Sequence, residues 1–189
     1  MRSSGCTIDG VPHNDLESIM AGKDDPTLPV PQTAVPADNP ILMLQRDHKR
    51  VRALAERYLA GTSIEMKKQA ATELLQAIHT HSRVEESVFY PRVRRVEPNL
   101  IAHFEEEHLN ADDLLVTLQG MRMDAPRAEP LMRELIAAVL EHIDEEENEL
   151  FPMLRHAALD LTPIGLEMQA FEAALVHRQG APSNGWARH

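Results

Sequence analysis

From Pro40 to Leu150 apolar residues recur three and four positions apart, with polar residues filling the gaps. Leu44, His48, Val51 and Ala55 share one helical face, and Leu74, Ile78, His81, Glu85 and Val88 share a second. Ile101, Phe104, His108, Ala111 and Leu115 form a third stripe; Leu135, Val139, His142, Glu146 and Met153 form a fourth. A stripe of this period marks a helix with one buried side.

End signals agree with the stripes. Asn39 as N-cap and Pro40 in the first turn open a helix through about Leu59, which Gly61 ends. Thr62 followed by Glu65 has the pattern of a capping box, starting a second helix that Pro91 disturbs. A third is predicted from about Asn99 to Gly120 and a fourth from about Pro130 to Leu150, its end disturbed by Pro152. Thr162 and Pro163 open a last, shorter helix with Ile164, Met168, Phe171 and Leu175 in one stripe. Four long helices with short connections predict an all-α, antiparallel four-helix bundle, with the fifth helix on its side or end.

The period fails before Asn39. Residues 1–38 hold Pro12, Pro26, Pro29, Pro31 and Pro36 among small polar groups, which predicts a flexible, Pro-rich N-terminal arm. The expected organisation is therefore an arm over 1–38, a bundle over 39–157, and a C-terminal helix and tail over 158–189.

Composition supports helices and excludes some partners. The 189 residues are 43% hydrophobic but only 4% aromatic, the vocabulary of helices rather than sheets. A formal charge of -11 opposes nucleic acid or an anionic membrane as a partner. Arg92, Arg94 and Arg95 read as a solvated helix end. Cys6 is the single cysteine, so no intramolecular disulfide forms, and it and His13 read as ordinary exposed side chains of the arm. With no secretory leader pattern and no run of about 18 apolar residues, the expected location is cytoplasmic.

The stripes carry a repeat. At an offset of 61, His81, Glu85, Glu86, Tyr90 and Pro91 match His142, Glu146, Glu147, Phe151 and Pro152; at an offset of 60, Leu44, Asp47, His48 and Leu54 match Phe104, Glu107, His108 and Leu114. Two similar helix pairs predict a bundle with pseudo-twofold symmetry around a shared centre. Among the ten histidines, His79 and His103 share polar faces and read as surface, whereas the repeated four lie in apolar stripes.

A single histidine on such a stripe is usually a satisfied core residue. Four of them, with glutamates one turn beyond two, are different, because unpartnered buried carboxylates cost several kcal/mol each and no Lys or Arg shares these faces. A metal ion would supply the missing positive charge. Imidazole and carboxylate without thiolate suit iron, manganese or zinc, and six protein ligands suit two ions sharing bridging carboxylates. Two imidazoles and one oxygen from each glutamate would leave each octahedral ion about two positions, one for an oxo or hydroxo bridge and one for a small ligand. That coordination number fits iron better than zinc.

With His48, then His81 with its EE pair and Tyr-Pro ending, then His108, then His142 with its EE pair and Phe-Pro ending, residues 40 to 155 resemble the hemerythrin-like proteins, the HHE cation-binding domains. The resemblance implies a non-haem di-iron centre with His48, His81, His108 and His142 as terminal ligands and Glu85 and Glu146 as bridging carboxylates. It also implies a small ligand (dioxygen, peroxide or nitric oxide) and peroxide turnover or redox and oxygen sensing, in a monomer or homodimer with a possible protein partner. Invertebrate oxygen carriers resembling this chain have a fifth histidine where Phe104 stands, so reversible transport is not expected. Iron-sulfur repair relatives carry an N-terminal cysteine pair, and this chain has Cys6 alone. Repair of iron-sulfur or nitrosative damage, iron handling and a metal-free interaction module are the alternatives. A ferritin-like oxidase would need a second E-x-x-H beside that of Glu105 to His108, and the fourth helix has none.

The remaining features have plain expectations. The EE and EEE runs at Glu105 to Glu107 and Glu145 to Glu147 read as solvated faces, Tyr58 and Tyr90 as helix-end packing, and the methionines as core filler.

Overall fold

The computed structural model describes residues 39–180; the arm expected over 1–38, with Cys6 and His13, and residues 181–189 lie outside the described residues. The elements are α1 (Pro40–Leu59), α2 (Ile64–Val84), a π-helical turn (Glu85–Phe89), α3 (Tyr90–Val93), α4 (Pro98–Gln119), α5 (Ala128–Glu145), a second π-helical turn (Glu146–Leu150), α6 (Phe151–His156) and α7 (Thr162–Gly180). No strand occurs among the described residues.

Local chemistry explains the ends. Asn39 accepts a hydrogen bond from the Leu42 N–H at 3.1 Å, the expected N-cap, and Pro40 begins α1 where its missing N–H costs nothing. α2 is capped by Ser63, which accepts from the Met66 N–H at 3.2 Å. The start therefore falls one residue later than the Thr62 capping pattern predicts.

The two prolines do not end their helices. In the turns before them, the Tyr90 N–H bonds to the Glu85 carbonyl and the Phe151 N–H to the Glu146 carbonyl, five residues back. The wide turn moves the preceding carbonyls off the proline ring, so the chain continues as α3 and α6 with Pro91 and Pro152 in their first turns. One extra residue also rotates the rest of the helix by about 100°. Leu150, Phe151 and Leu154 consequently face inward, whereas Met153, assigned to the fourth stripe by an unbroken period, is 41% exposed.

α1 packs on α2 and α4 on α5 as helical hairpins, and α2 with α4 and α1 with α5 close an antiparallel four-helix bundle. α7 lies against α1, α2 and the first wide turn. Ile164 and Met168 are buried there, with Phe171 and Leu175 partly so. The core has two parts, one built around Leu74, Leu115 and Leu135, the other around Leu44, Phe89, Phe104 and Phe151. Between Leu44 and Val51, Ile78 and Val84, Phe104 and Ala111, and Ile143 and Leu150, each long helix crosses from one part to the other. The buried polar residues sit at that boundary.

Candidate metal centre

α1, α2, α4 and α5 bring His48, His81, His108 and His142 to one level, and the wide turns add Glu85 and Glu146; all six are buried, both glutamates completely. The imidazoles form two pairs, His48 with His81 at 4.8 Å between ring centroids and His108 with His142 at 4.6 Å. Donor atoms of His48, His81 and Glu85 cluster, as do those of Glu85, His108 and His142, so Glu85 belongs to both groups. Glu85 Oε2 lies 3.1 Å from His81 Nε2 and 3.4 Å from His108 Nε2, and Glu146 Oε2 lies 3.2 Å from His48 Nε2.

These atoms converge, yet many of them are left without a well-directed hydrogen bond. His48 Nε2, both ring nitrogens of His81, Glu85 Oε1 and both carboxylate oxygens of Glu146 are buried and have no hydrogen-bond partner. His108 Nε2 lies 3.1 Å from His142 Nε2, a hydrogen bond whose direction the ring protons set. Orphaned buried polar atoms are rare because each forfeits its solvation. A cation among them would satisfy every one except His81 Nδ1, which lies on the far side of its ring, so the donor set fits a metal.

An outer ring of carboxylates supports the imidazoles, and two of them, Glu107 and Glu147, belong to the runs expected to be solvated faces. Glu147 Oε1 lies 2.7 Å from His48 Nδ1, Glu107 Oε2 2.8 Å from His142 Nδ1, and Glu86 Oε1 3.3 Å from His108 Nδ1. A carboxylate at Nδ1 places the proton there and turns Nε2 inward as an acceptor. Cations brace two of these carboxylates: Arg52 pairs with Glu147 and Asp144, and Arg83 with Glu86. The sequence contained the signal, since Glu86 and Glu147 are related by the same offset as the histidines.

Tyr90 is the second missed group. Fully buried, it directs its hydroxyl to Glu85 Oε2 at 3.4 Å and His142 Nε2 at 3.3 Å, so it does more than pack a helix end. Its counterpart Phe151 stacks on His48 at 5.8 Å and has no polar atom to offer. Tyr58 lies at the other end of the bundle and donates to Glu129 at 2.9 Å.

Proton affinities reflect the crowding. Burial, then the neighbouring Glu146, pushes the Glu85 carboxyl up to about 8. Burial opposes charge on His108, but Glu85 and Glu86 outweigh it and raise His108 to about 10. His48 is raised too, burial being overcome by Glu146, Glu85 and Glu147. His81 is driven well below its ordinary value by burial and then by the other three histidines.

A cavity of about 190 Å³ reaches the layer between α2, α4 and α5, lined by His81, His108, His142, Ser82, Ala111 and Val139. It can admit a small molecule. Elsewhere, His103 is exposed as expected and contacts Glu107 and Glu145, and His79 is half-buried. Arg92 pairs with Glu167 and Arg94 with Glu105, which accounts for two of the three clustered arginines. No described helix is long and apolar enough to cross a membrane.

Fold and site together define a helical bundle built to hold cations at its centre. The profile of the Hemerythrin HHE cation binding domain matches residues 39–154, and the chain belongs to that family. A similar fold occurs in the crystal structure of a hemerythrin HHE cation binding domain-containing protein from Mycobacterium kansasii, at a TM-score of 0.63 and 23% identity, covering 79% of this chain and 95% of that one. A curated relative, a DNA nickase from a Nostoc species, is 22% identical over 147 residues, covering 76% of this chain. The match spans 42% of that relative's length.

Proposed function

We propose that this chain is a non-haem di-iron protein that binds a small oxidant and turns over peroxide, with His48 and His81 on one ion, His108 and His142 on the other, and Glu85 and Glu146 shared. The observation that carries this reading is the buried layer of four imidazoles and two carboxylates that four helices bring together, with orphaned atoms on His48, His81, Glu85 and Glu146. Nitrogen and carboxylate donors without thiolate suit iron, manganese or zinc, and six protein groups shared by two six-coordinate ions with open positions suit iron better than zinc.

Bound iron would supply the one-electron chemistry that amino-acid side chains lack. The protein's part is positioning. The cavity beside His81, His108 and His142 provides the approach for a small ligand. Phe104, fully buried with its ring 5.1 Å from that of His142, stands where oxygen carriers have a further imidazole, which favours turnover over protected carriage. The Tyr90 hydroxyl can donate a hydrogen bond at the same level. Nickase activity is not extended to this chain, because a net charge of -11 opposes a phosphate backbone.

The test measures iron per chain, near-ultraviolet absorption and dioxygen release after hydrogen peroxide is added to the wild type and to Glu85→Ala. Two irons, with one dioxygen released for two peroxides consumed, are expected for the wild type, and loss of both for the variant. Two irons with a lasting spectral change and no dioxygen would make the protein a sensor. No tightly bound metal would overturn the reading in favour of an interaction module.

A further inference from the structure

The repeat gives each group at the centre a counterpart, and one outer contact lacks its mate. The contact of His48 with Glu147 at 2.7 Å and that of His108 with Glu86 at 3.3 Å are equivalent under the offsets of 60 and 61. The contact of His142 with Glu107, at 2.8 Å, should be matched by one between His81 and Asp47. It is not: His81 Nδ1 is buried without a partner.

Two features account for the break. Asp47 is one methylene shorter than Glu107, and its carboxylate accepts from the adjacent Arg46, whose Nε lies at 3.0 Å and Nη2 at 2.9 Å. Arg46 is itself held by Glu172 of α7 at 3.4 Å, and α7 has no counterpart in the repeat. Asp47 and His81 border a cavity of about 320 Å³ instead of touching.

We propose that the two metal positions are held unequally, and that the position built by His48 and His81 fills last and releases its ion first. This rests on the two-metal reading above. Both imidazoles of the other position have a carboxylate at Nδ1 that fixes ring direction and raises donor strength, whereas here only His48 does. Loss of one such partner typically weakens metal affinity about 10- to 100-fold.

The experiment tracks iron(II) leaving the fully loaded protein into an excess of coloured chelator without oxygen. Two phases of equal amplitude are expected, their rates about 10-fold or more apart. Glu147→Ala should accelerate the fast phase alone, through His48. Glu107→Ala and Glu86→Ala should each accelerate the slow phase alone, through His142 and His108. Melting curves of the stripped proteins check that each variant folds, and either slow-phase variant suffices if the other does not. Release of two ions in a single phase, or the reverse pattern among the variants, overturns the proposal. Uptake of fewer than two ions would locate the failure in the two-metal reading, since that stoichiometry is measured before release begins.

Discussion

Tyr90 meets Glu85 twice: its backbone N–H donates to the Glu85 carbonyl across the wide turn, and its hydroxyl donates to Glu85 Oε2 at 3.4 Å. One residue thus shapes the turn that presents the carboxylate and restrains the carboxylate itself. Tyr90→Phe keeps the ring and the turn and removes only the hydroxyl. Iron content should remain that of the wild type, while the absorption spectrum shifts and dioxygen release from peroxide slows. The long hydrogen bond should cost the fold about 1 kcal/mol or less, measured by urea denaturation.

His81 exchanges stability for its place at the centre. Its Nδ1 is buried without a partner, a situation that costs about 1–3 kcal/mol, while its Nε2 meets only Glu85 Oε2, at 3.1 Å. His81→Leu should therefore stabilise the chelator-stripped protein by an amount of that order while lowering its iron content. Denaturation of the stripped variant beside metal analysis of the loaded one checks both halves; a less stable stripped variant would contradict the argument.

Phe104 is fully buried, with its ring 6.2 Å from that of Tyr90 and 5.1 Å from that of His142. Phe104→His would direct a further imidazole toward the layer from one turn before His108. Iron should be retained, and the rate of azide binding, read by its absorption change, should fall several-fold as a coordination position is filled. Phe104→Ala instead opens a cavity and should cost about 3–5 kcal/mol.

Stability should fall on the alkaline side when metal is stripped. Glu85 at about 8, through burial and Glu146, and His108 at about 10, where Glu85 and Glu86 overcome burial, both lie above their ordinary values of 4.5 and 6.5. The folded chain then holds more protons than the unfolded one, so these contributions are complete at low pH and fade as pH rises through about 8 and about 10. His81, depressed by burial, adds a loss as pH falls through its ordinary value of 6.5. The melting temperature of stripped protein should decline from pH 7 to 10, and that of loaded protein should decline less. Loading at pH 7 should release protons, measurable by calorimetry in buffers of different ionisation enthalpy.

The chain announces its helices and the level of its centre because both depend on spacing along one helix. Leu44, His48 and Val51 must face one way, as must His81 and Glu85, since residues three and four apart share a face whatever surrounds them. The offsets of 60 and 61 likewise state that two helix pairs repeat. What lies between helices is not encoded in spacing. Glu107 and Glu147 look like solvated charges until the bundle closes and sets them, with Glu86, against the Nδ1 atoms of His142, His48 and His108. The wide turns before Pro91 and Pro152 escape an unbroken period of 3.6, and with them the inward aim of Tyr90 and the exposure of Met153. Asp47 and Glu107 occupy matching positions yet do different things: Asp47 is shorter and turned to Arg46, which Glu172 of α7 meets on one side of the bundle only. Periodicity is a property of a single helix, whereas partnership among charges is settled by which helices meet.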